Sequence, residues 1–227
     1  MKITLIRISI TVLLLATNGC LAWSQSFTNL DFEHPILPLS PVNFEVPAAN
    51  AIPGWTAYLG GNPLSSIGYD TVSLGGAAVF LQDTTNNVGG LAPLQGLYSV
   101  LLEGSTASTP TAASIGQSGR IPLNALSLTF LLSLNSSLQV TFNGQLIPLV
   151  QTGSTPNYDI MGGDTSAIAG QTGQLLFTAL PGTIFNAGYG LLDNIQFSTQ
   201  AIPEPGVFGL FGFGALLLGW RLRHKTR

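Results

Sequence analysis

The sequence predicts an all-β protein whose central domain is a β-sandwich of two sheets. From residue 27 onward, short runs alternate apolar and polar residues, which is the period of a half-buried strand. Glycine, proline, asparagine and serine separate these runs, and no segment between the two ends of the chain has a helical period. The runs do not repeat at a fixed length, which favours a sandwich over a propeller or a solenoid. The predicted strands are 27–32, 55–59, 77–82, 97–103, 113–117, 127–134, 138–142, 145–150, 174–177 and 191–198.

The N-terminal residues 1–24 have the order of a secretory signal peptide. Lys2 and Arg7 form a charged start, and the apolar stretch 8–16 precedes small residues that suit cleavage. A lipoprotein signal is the alternative, because a glycine precedes Cys20. With either signal, we expect the domain that follows to be exported.

The clearest local pattern inside the domain is a hairpin. Leu138, Val140 and Phe142 alternate with polar residues and lead into Asn143 and Gly144. An Asn-Gly pair accepts the positive φ angles of a type I′ turn, so the chain is predicted to reverse there.

Two further patterns identify core residues. Leu128, Phe130 and Leu132 recur at every second position, so they share one face of a strand and point into the core. Trp55 follows a Pro-Gly pair at the start of a predicted strand, where a core position is expected.

The C-terminal end has three parts in a fixed order. Pro203, Glu204 and Pro205 precede the apolar run 206–220, and a basic tail, 221–227, follows it. At about 1.5 Å per residue the run spans roughly 22 Å, against about 30 Å of hydrocarbon in a bilayer, so it predicts a short transmembrane helix. A buried C-terminal helix is the alternative for the run alone. The tail would keep its own side cytoplasmic and place the domain outside; its basic residues are Arg221, Arg223, Lys225 and Arg227.

This order of motif, apolar segment and basic tail resembles the PEP-CTERM sorting signal, here covering residues 202–227. The resemblance implies an exported bacterial protein that the secretion machinery delivers and an exosortase processes. Its expected route runs from an inner-membrane intermediate to the cell envelope, the cell surface or the extracellular matrix.

The charge of the central domain, residues 25–200, excludes some partners. It holds nine acidic residues and a single basic one, Arg120, so its formal charge is about −8. Nucleic-acid binding requires clustered lysine and arginine, and binding to an anionic membrane surface requires the same. Neither is expected of this domain.

Six segments of the domain follow one another in an order that indicates a family. They are 29–33 (NLDFE), 52–55 (IPGW), 96–102 (GLYSVLL), 115–117 (IGQ), 138–144 (LQVTFNG) and 191–195 (LLDNI). Together they resemble the galactose-binding-like jelly roll, which includes many carbohydrate-binding modules of extracellular bacterial proteins. The resemblance implies a jelly-roll-like β-sandwich over residues 27–198 and a polysaccharide ligand.

The same resemblance implies a structural calcium ion. Such modules commonly hold calcium where the first and last strands meet, and here Glu33 lies near one of them and Asp193 near the other. Asp193 also shares the alternation of Leu191 and Ile195, which predicts an inward carboxylate. A buried carboxylate needs a cation or hydrogen-bond donors.

Aromatic side chains are the other candidate ligand-binding groups. Sugar sites combine aromatic faces with amide and carboxylate partners, and Tyr58 and Tyr158 lie in polar or glycine-rich surroundings. We therefore expect these two tyrosines to be exposed and available for a sugar.

No catalytic residue is predicted. The sequence lacks Gly-x-Ser-x-Gly, and His34 is the one histidine outside the basic tail, so neither a hydrolase triad nor a histidine-rich metal site can be assembled. The acids Asp31 and Glu33, and the acids Asp159 and Asp164 in a glycine-rich stretch predicted as a loop, are close in sequence. Solvated or capping carboxylates are the simpler interpretation of both pairs.

The function expected from the sequence is non-catalytic binding of extracellular polysaccharide by an exported domain. Two alternatives stay open. A structural or adhesive matrix protein would show no specific sugar site, and a carbohydrate-active hydrolase would show two converging acids with a raised pKa.

Overall fold

The computed structural model describes residues 26–37, 44–84, 91–106, 109–136, 138–182 and 188–202. In these residues, two sheets of eight and six strands pack face to face. This confirms the predicted all-β, jelly-roll-like sandwich.

Strand numbers follow the chain, whereas the order within each sheet is spatial. Neighbouring strands are antiparallel, except that β4 and β5 run parallel. The larger sheet contains β1 (Glu45–Pro47), β4 (Ser66–Tyr69), β5 (Ala78–Asp83), β6 (Tyr98–Glu103), β14 (Tyr189–Ser198), β8 (Ser127–Ser136), β12 (Asp159–Asp164) and β11 (Leu149–Ser154). The smaller sheet contains β10 (Gln145–Ile147), β9 (Leu138–Phe142), β13 (Thr172–Ala179), β7 (Ala113–Arg120), β2 (Thr56–Leu59) and β3 (Asn62–Pro63). A short helix α1 (Ala48–Ala51) and a 3-10 turn (Ser166–Ile168) complete the described elements.

The core lies between the two sheets and contains the residues that the alternation predicts. Leu128, Phe130 and Leu132 are buried on the inner face of β8. Trp55 is also buried, and its indole nitrogen donates a hydrogen bond to the Asn29 carbonyl at 3.0 Å. Burial of such large apolar side chains contributes about 1.5–3 kcal/mol each and is the main source of stability for this domain.

The predicted hairpin is confirmed. β9 and β10 pair in antiparallel register, with Phe142 opposite Gln145. Asn143 and Gly144 have φ angles of +49° and +77°, as the type I′ turn requires.

Two of the predicted strands, 145–150 and 27–32, differ from the structure, each for a physical reason. The segment predicted at 145–150 is two strands in different sheets, and Pro148 separates them because proline cannot donate a backbone hydrogen bond to a ladder. The segment 27–32 is not a strand. Instead the Gln117 side chain bonds its backbone: Thr28 N donates to Gln117 Oε1 at 2.6 Å, and Gln117 Nε2 donates to the Thr28 carbonyl at 2.9 Å.

The predicted loop from Asp159 to Asp164 is wrong, because this stretch forms strand β12. Glycine normally weakens a strand, but in β12 two glycines admit neighbouring side chains. The Ile202 side chain packs against Gly162, and the Ile147 side chain packs against Gly163. A substituted residue at either position would collide with these isoleucines.

The two ends of the described chain lie at the same end of the sandwich. Ser26 forms a bridge with Arg120 at the end of β7, and Ser127 Oγ at the start of β8 donates to the Gln200 carbonyl at 2.7 Å. The predicted signal peptide with Cys20, the Pro-Glu-Pro motif, the apolar run and the basic tail lie outside the described residues. Within the described part, no helix is long and apolar enough to cross a membrane.

Candidate functional site

A pocket rich in acids and amides lies where the N-terminal segment, the loop before β6 and strand β14 meet. Its volume is about 330 Å³. We call it the acid-amide pocket, and it is lined by Asp31, Glu33, Gln95, Gly96, Asp193, Asn194 and Gln196. It brings together Glu33 and Asp193, the two residues that the sequence singles out as a pair.

A bulge in β14 creates this pocket. Asp193 lies opposite Leu131 of β8, whereas Gln196 lies opposite Thr129, so β14 holds one extra residue. Asn194, at the bulge, has a φ angle of +46°, which asparagine tolerates better than most residues.

Because the bulge follows Asp193, Asp193 and Ile195 lie on opposite faces of the larger sheet. Leu192 and Ile195 belong to the core between the sheets, whereas Leu191 packs with Phe80 and Leu101 on the opposite side of the larger sheet. Asp193 lies on that outer side with Leu191. The prediction that it shares the register of Ile195 and points into the core is therefore wrong.

Asp193 is nevertheless buried, because the loop before β6 covers it. Only 1% of the residue is exposed. Its Oδ2 accepts hydrogen bonds from the Gln95 backbone N–H at 2.9 Å and from Ser99 Oγ at 2.8 Å, and its Oδ1 accepts one from Asn194 N at 2.6 Å. Burial raises the pKa of Asp193 to about 6; repulsion by Glu33 adds to this, and the three hydrogen bonds oppose it.

Glu33 is held by the backbone of the same loop. Its Oε1 accepts from Leu97 N at 2.9 Å and from Tyr98 N at 3.1 Å, and its Oε2 accepts from Leu97 N at 3.1 Å. Gly96 makes this possible, because a Cβ at that position would overlap the Glu33 carboxylate. Gly96 also has a φ angle of +64°, which favours glycine.

Three amide side chains form a chain of hydrogen bonds in the same pocket. Asn194 Nδ2 donates to Gln95 Oε1, and Gln196 Nε2 donates to Asn194 Oδ1 at 2.6 Å. Gln95 and Gln196 are exposed. The sequence does not predict these three amides, because no pattern in it relates residue 95 to residues 194 and 196.

The predicted tyrosines do not lie in this pocket. Tyr58 is half-buried on β2 of the smaller sheet, and its hydroxyl accepts a hydrogen bond from Gln174 Nε2 at 3.2 Å. Tyr158 is half-buried in the turn before β12 of the larger sheet, and its backbone N–H donates to Thr155 Oγ1 at 3.1 Å. The structure does not bring these two tyrosines together.

The other candidate residues are also separated. Asp159 and Asp164 occupy opposite ends of β12, and a hydrogen bond from the Ser166 N–H lowers the pKa of Asp164. His34 is exposed. Among the described residues, no group of three or more histidine, cysteine, aspartate and glutamate side chains is placed to hold a metal ion.

Another buried carboxyl, that of Glu103, lies at the end of the sandwich away from Ser26 and Ser198. Glu103 is the last residue of β6, lies opposite Tyr189 of β14 and is 4% exposed. Burial raises its pKa to about 7, although its Oε2 accepts a hydrogen bond from the Ser73 N–H at 3.0 Å. Burial alone accounts for this rise, without repulsion from a neighbouring carboxylate of the described chain.

A larger cavity, of about 380 Å³, lies over the outer side of the larger sheet. Its lining is mostly leucine, proline and alanine, with two polar side chains, Ser133 and Asn157. Its described lining contains no ionisable group and one amide side chain, so it offers fewer hydrogen-bonding side chains to sugar hydroxyls than the acid-amide pocket.

No family model matches the chain, and no curated protein matches it significantly. Among solved structures, the enzymatically active domain of tailspike protein 4 of bacteriophage CBA120 is 15% identical with a TM-score of 0.36, over 64% of this chain and 19% of that chain. The apo form of a cyclase from Fischerella sp. is 14% identical with a TM-score of 0.39, over 76% of this chain and 93% of that chain. A family 11 carbohydrate-binding module from Clostridium thermocellum, in complex with a β-1,3-1,4-mixed-linked tetrasaccharide, is 12% identical with a TM-score of 0.36, over 67% of this chain and 92% of that chain.

This chain therefore spans a small part of the tailspike protein and nearly all of the other two chains. Likeness at these TM-scores indicates nothing about the ligand or the activity of this chain, so both must be inferred from its own residues.

Proposed function

We propose that the domain is a non-catalytic binding module for neutral extracellular polysaccharide, and that the acid-amide pocket is its sugar site. The observation that carries the proposal is the set of groups in that pocket. The exposed Asp31 carboxylate accepts hydrogen bonds, and each amide both donates and accepts them. A sugar hydroxyl also donates and accepts, so such a pocket can satisfy several hydroxyls at once.

The charge of the pocket supports a neutral ligand. Asp31, Glu33 and Asp193 all line it, and the described lining contains no basic side chain. Uronic acids or sulfated sugars would be repelled by these carboxylates. A neutral polysaccharide meets no such penalty.

The raised pKa of Asp193 beside Glu33 is a feature that a hydrolase would also show, but the hydrogen bonds of both carboxylates favour binding over catalysis. A general acid must present its proton to the scissile oxygen. In this pocket both carboxylates are held by donors of the covering loop or of β14. These bonds fix both carboxylates as acceptors and give them a structural role at the base of the pocket.

The two alternatives predict different results. A hydrolase would release new reducing ends from a polysaccharide that the domain retains, and we expect none. A structural or adhesive protein would retain no polysaccharide specifically, whereas we expect selective retention of a neutral one. A glycan array on residues 25–202 separates these outcomes, and retention of no polysaccharide would overturn the proposal.

The pocket itself is tested by Gln196→Ala. Gln196 is exposed and lines the pocket, so its loss should weaken binding without unfolding the domain. Loss of one or two hydrogen bonds corresponds to about threefold to tenfold in affinity. Gln151→Ala is the matched control, because Gln151 is an exposed amide on β11 that bonds Asp159 outside the pocket. Equal effects of the two variants would place the sugar elsewhere.

Calcium at Glu33 and Asp193 is a second proposal for the same pocket. The donor set of carboxylate and amide oxygens is the kind that calcium prefers, and a cation would relieve the repulsion that helps raise the Asp193 pKa. The backbone N–H groups that already face both carboxylates oppose it. Bound calcium would raise the Tm of the domain in CaCl₂ and EDTA would reverse this, whereas equal Tm values in both would exclude a bound ion.

For the delivery of the domain, we propose the route that the two chain ends indicate. The signal peptide 1–24 directs export, the segment 202–227 retains the chain in the inner membrane, and an exosortase then releases it to the envelope, surface or matrix. The support is the order of the Pro-Glu-Pro motif, apolar run and basic tail in the sequence.

A further inference from the structure

Three exposed leucines lie at the end of the sandwich where the described chain leaves. Leu123 is 73% exposed, Leu126 is 39% exposed and Leu146 is 53% exposed. We call this the exit end. A single exposed leucine is ordinary, whereas several at one end of a domain mark a candidate interaction surface.

The residues around the 3-10 turn Ser166–Ile168 bring these leucines to one surface. Thr165 N donates to the Leu126 carbonyl at 3.1 Å, and the Leu123 side chain lies against Gly170. Leu146 lines a cavity of about 220 Å³ together with Ala167 and Ile168. All three leucines therefore border the segment 165–170.

Both ends of the described range, near Ser26 and Ser198, lie at the same surface. The Leu126 N–H donates to the Ser198 carbonyl at 2.8 Å at the end of β14, and Ser26 bridges Arg120, whose Nε donates to the Gly170 carbonyl at 2.9 Å. Beyond β14, the Ile202 side chain packs against Gly162, two residues before the end of β12. The last described residue is thus held against the domain, with no free linker before it.

The sequence that follows indicates what the exit end meets. Only Pro203, Glu204 and Pro205 separate Ile202 from the apolar run 206–220. Three extended residues reach at most about 10 Å. If the run lies in a bilayer, the exit end must lie within about that distance of the lipid surface.

The charge of the exit end is compatible with a neutral lipid interface. Its described charged side chains are Arg120 and Asp164, one of each sign, and each is engaged with a neighbouring backbone group. Exposed leucines beside few charges suit the headgroup and acyl boundary, where apolar side chains insert about 5–10 Å.

We propose that the exit end is a membrane-facing surface, and that Leu123, Leu126 and Leu146 insert into the bilayer interface while the C-terminal segment is still attached. This inference rests on the proposed membrane retention of residues 206–220. It adds that the domain has a fixed orientation on the membrane before its release, with the exit end facing the bilayer.

The test uses the full chain in phosphatidylcholine vesicles. In a Cys20→Ser background, single cysteines are introduced by Leu123→Cys, Leu126→Cys and Leu146→Cys and labelled with an environment-sensitive fluorophore. Leu74→Cys is the matched control, because Leu74 is fully exposed in the loop before β5, beside Thr106 at the opposite end. Leu216→Cys reports whether the apolar run itself has entered the membrane.

Lipids that carry a spin label should quench the labels at positions 123, 126 and 146 by about twofold or more and leave position 74 unquenched. Quenching at position 216 without quenching at the exit end would overturn this inference and leave membrane retention intact. A blue shift at the exit end without lipid quenching would show a protein partner, such as a second copy, and would also overturn it. Absence of quenching at position 216 would remove the membrane retention, and the inference with it.

Discussion

Gly96 shows how a single backbone position can support the whole acid-amide pocket. The left-handed conformation of this residue and the nearby Glu33 carboxylate both exclude a side chain. For Gly96→Ala, the left-handed backbone alone should cost about 1–2 kcal/mol, and displacement of Glu33 should add to that. We therefore expect a lower midpoint in urea unfolding and a loss of polysaccharide binding.

The control for this variant is Gly61→Ala. Gly61 also has a positive φ angle, +83°, but nothing lies near its missing Cβ. It should lose a similar amount of stability from the backbone and keep full binding. Equal binding by the two variants would contradict the role given to Gly96.

Glu103 makes the stability of the domain depend on pH. Its pKa is about 7 in the folded chain and 4.5 in a free side chain, because burial disfavours its charged form. The stability it contributes is therefore complete below pH 4.5 and is lost as the pH rises through about 7. Allowing for screening by solvent, we expect the free energy of unfolding to fall by about 1–2 kcal/mol between pH 5 and pH 8 on its account.

Glu103→Gln should remove this part of the pH dependence, since glutamine stays neutral and can still accept from the Ser73 N–H. The dependence that Asp193 causes, between about pH 4 and pH 6, should remain. Glu45→Gln changes an exposed glutamate of the same sheet and is the control. Urea titrations at several pH values provide the measurement, and an unchanged profile in Glu103→Gln would show that this carboxyl is not the source.

At the scale of elements, alternation predicts the strands that face one core and fails where the face changes within a strand. The inner faces of β8 and β9 follow a strict period of two, so Leu128, Phe130 and Val140 can be assigned from the sequence. In β14 the bulge at Asn194 shifts the period by one residue. No glycine or proline stands at the bulge to signal the shift, because asparagine alone supplies the positive φ angle.

The glycine pair of β12 is mispredicted because its local signal is misleading, whereas the bulge in β14 gives no local signal. Local propensity counts Gly162 and Gly163 against a strand, but the space they leave is filled by Ile202 and Ile147. Those isoleucines are distant in sequence from the pair, so only the tertiary packing reveals the strand. The candidate site shares this property: the family resemblance points to Glu33 and Asp193, whereas Gln95 is distant in sequence from Asn194, to which it is hydrogen-bonded.

The bulge predicts different behaviour for two substitutions at Asn194. Asn194→Gly keeps access to a φ angle of +46° and removes the amide, so stability should change little while polysaccharide binding falls. Asn194→Val places a β-branched residue in the left-handed region, so it should also destabilise the domain by about 1–2 kcal/mol. Thermal unfolding and binding measured on the same samples distinguish the two effects. Equal Tm values for the two variants would mean that the backbone at position 194 adjusts to accept valine, and would contradict the predicted cost.

At the scale of the whole molecule, the charges of the chain divide by position. The domain has one basic residue, Arg120, and the other six lie in residues 1–24 and 221–227. An acidic domain without basic patches stays away from anionic surfaces, so its residence at a membrane depends on the C-terminal segment and not on its own charge. The order of residues in the sequence indicates this division, because it requires no knowledge of contacts.

Glu204 is the one acidic residue outside the domain and stands between Pro203 and Pro205. If an exosortase reads this motif, the exported wild-type protein should lack Trp220 by mass spectrometry, and Glu204→Ala should accumulate in the inner membrane with Trp220 retained. Glu45→Ala alters an exposed glutamate of the folded domain and should be processed normally. A surface form of the wild-type protein that still carries Trp220 would show that the segment is a lasting anchor, and the exit end would then face the membrane permanently.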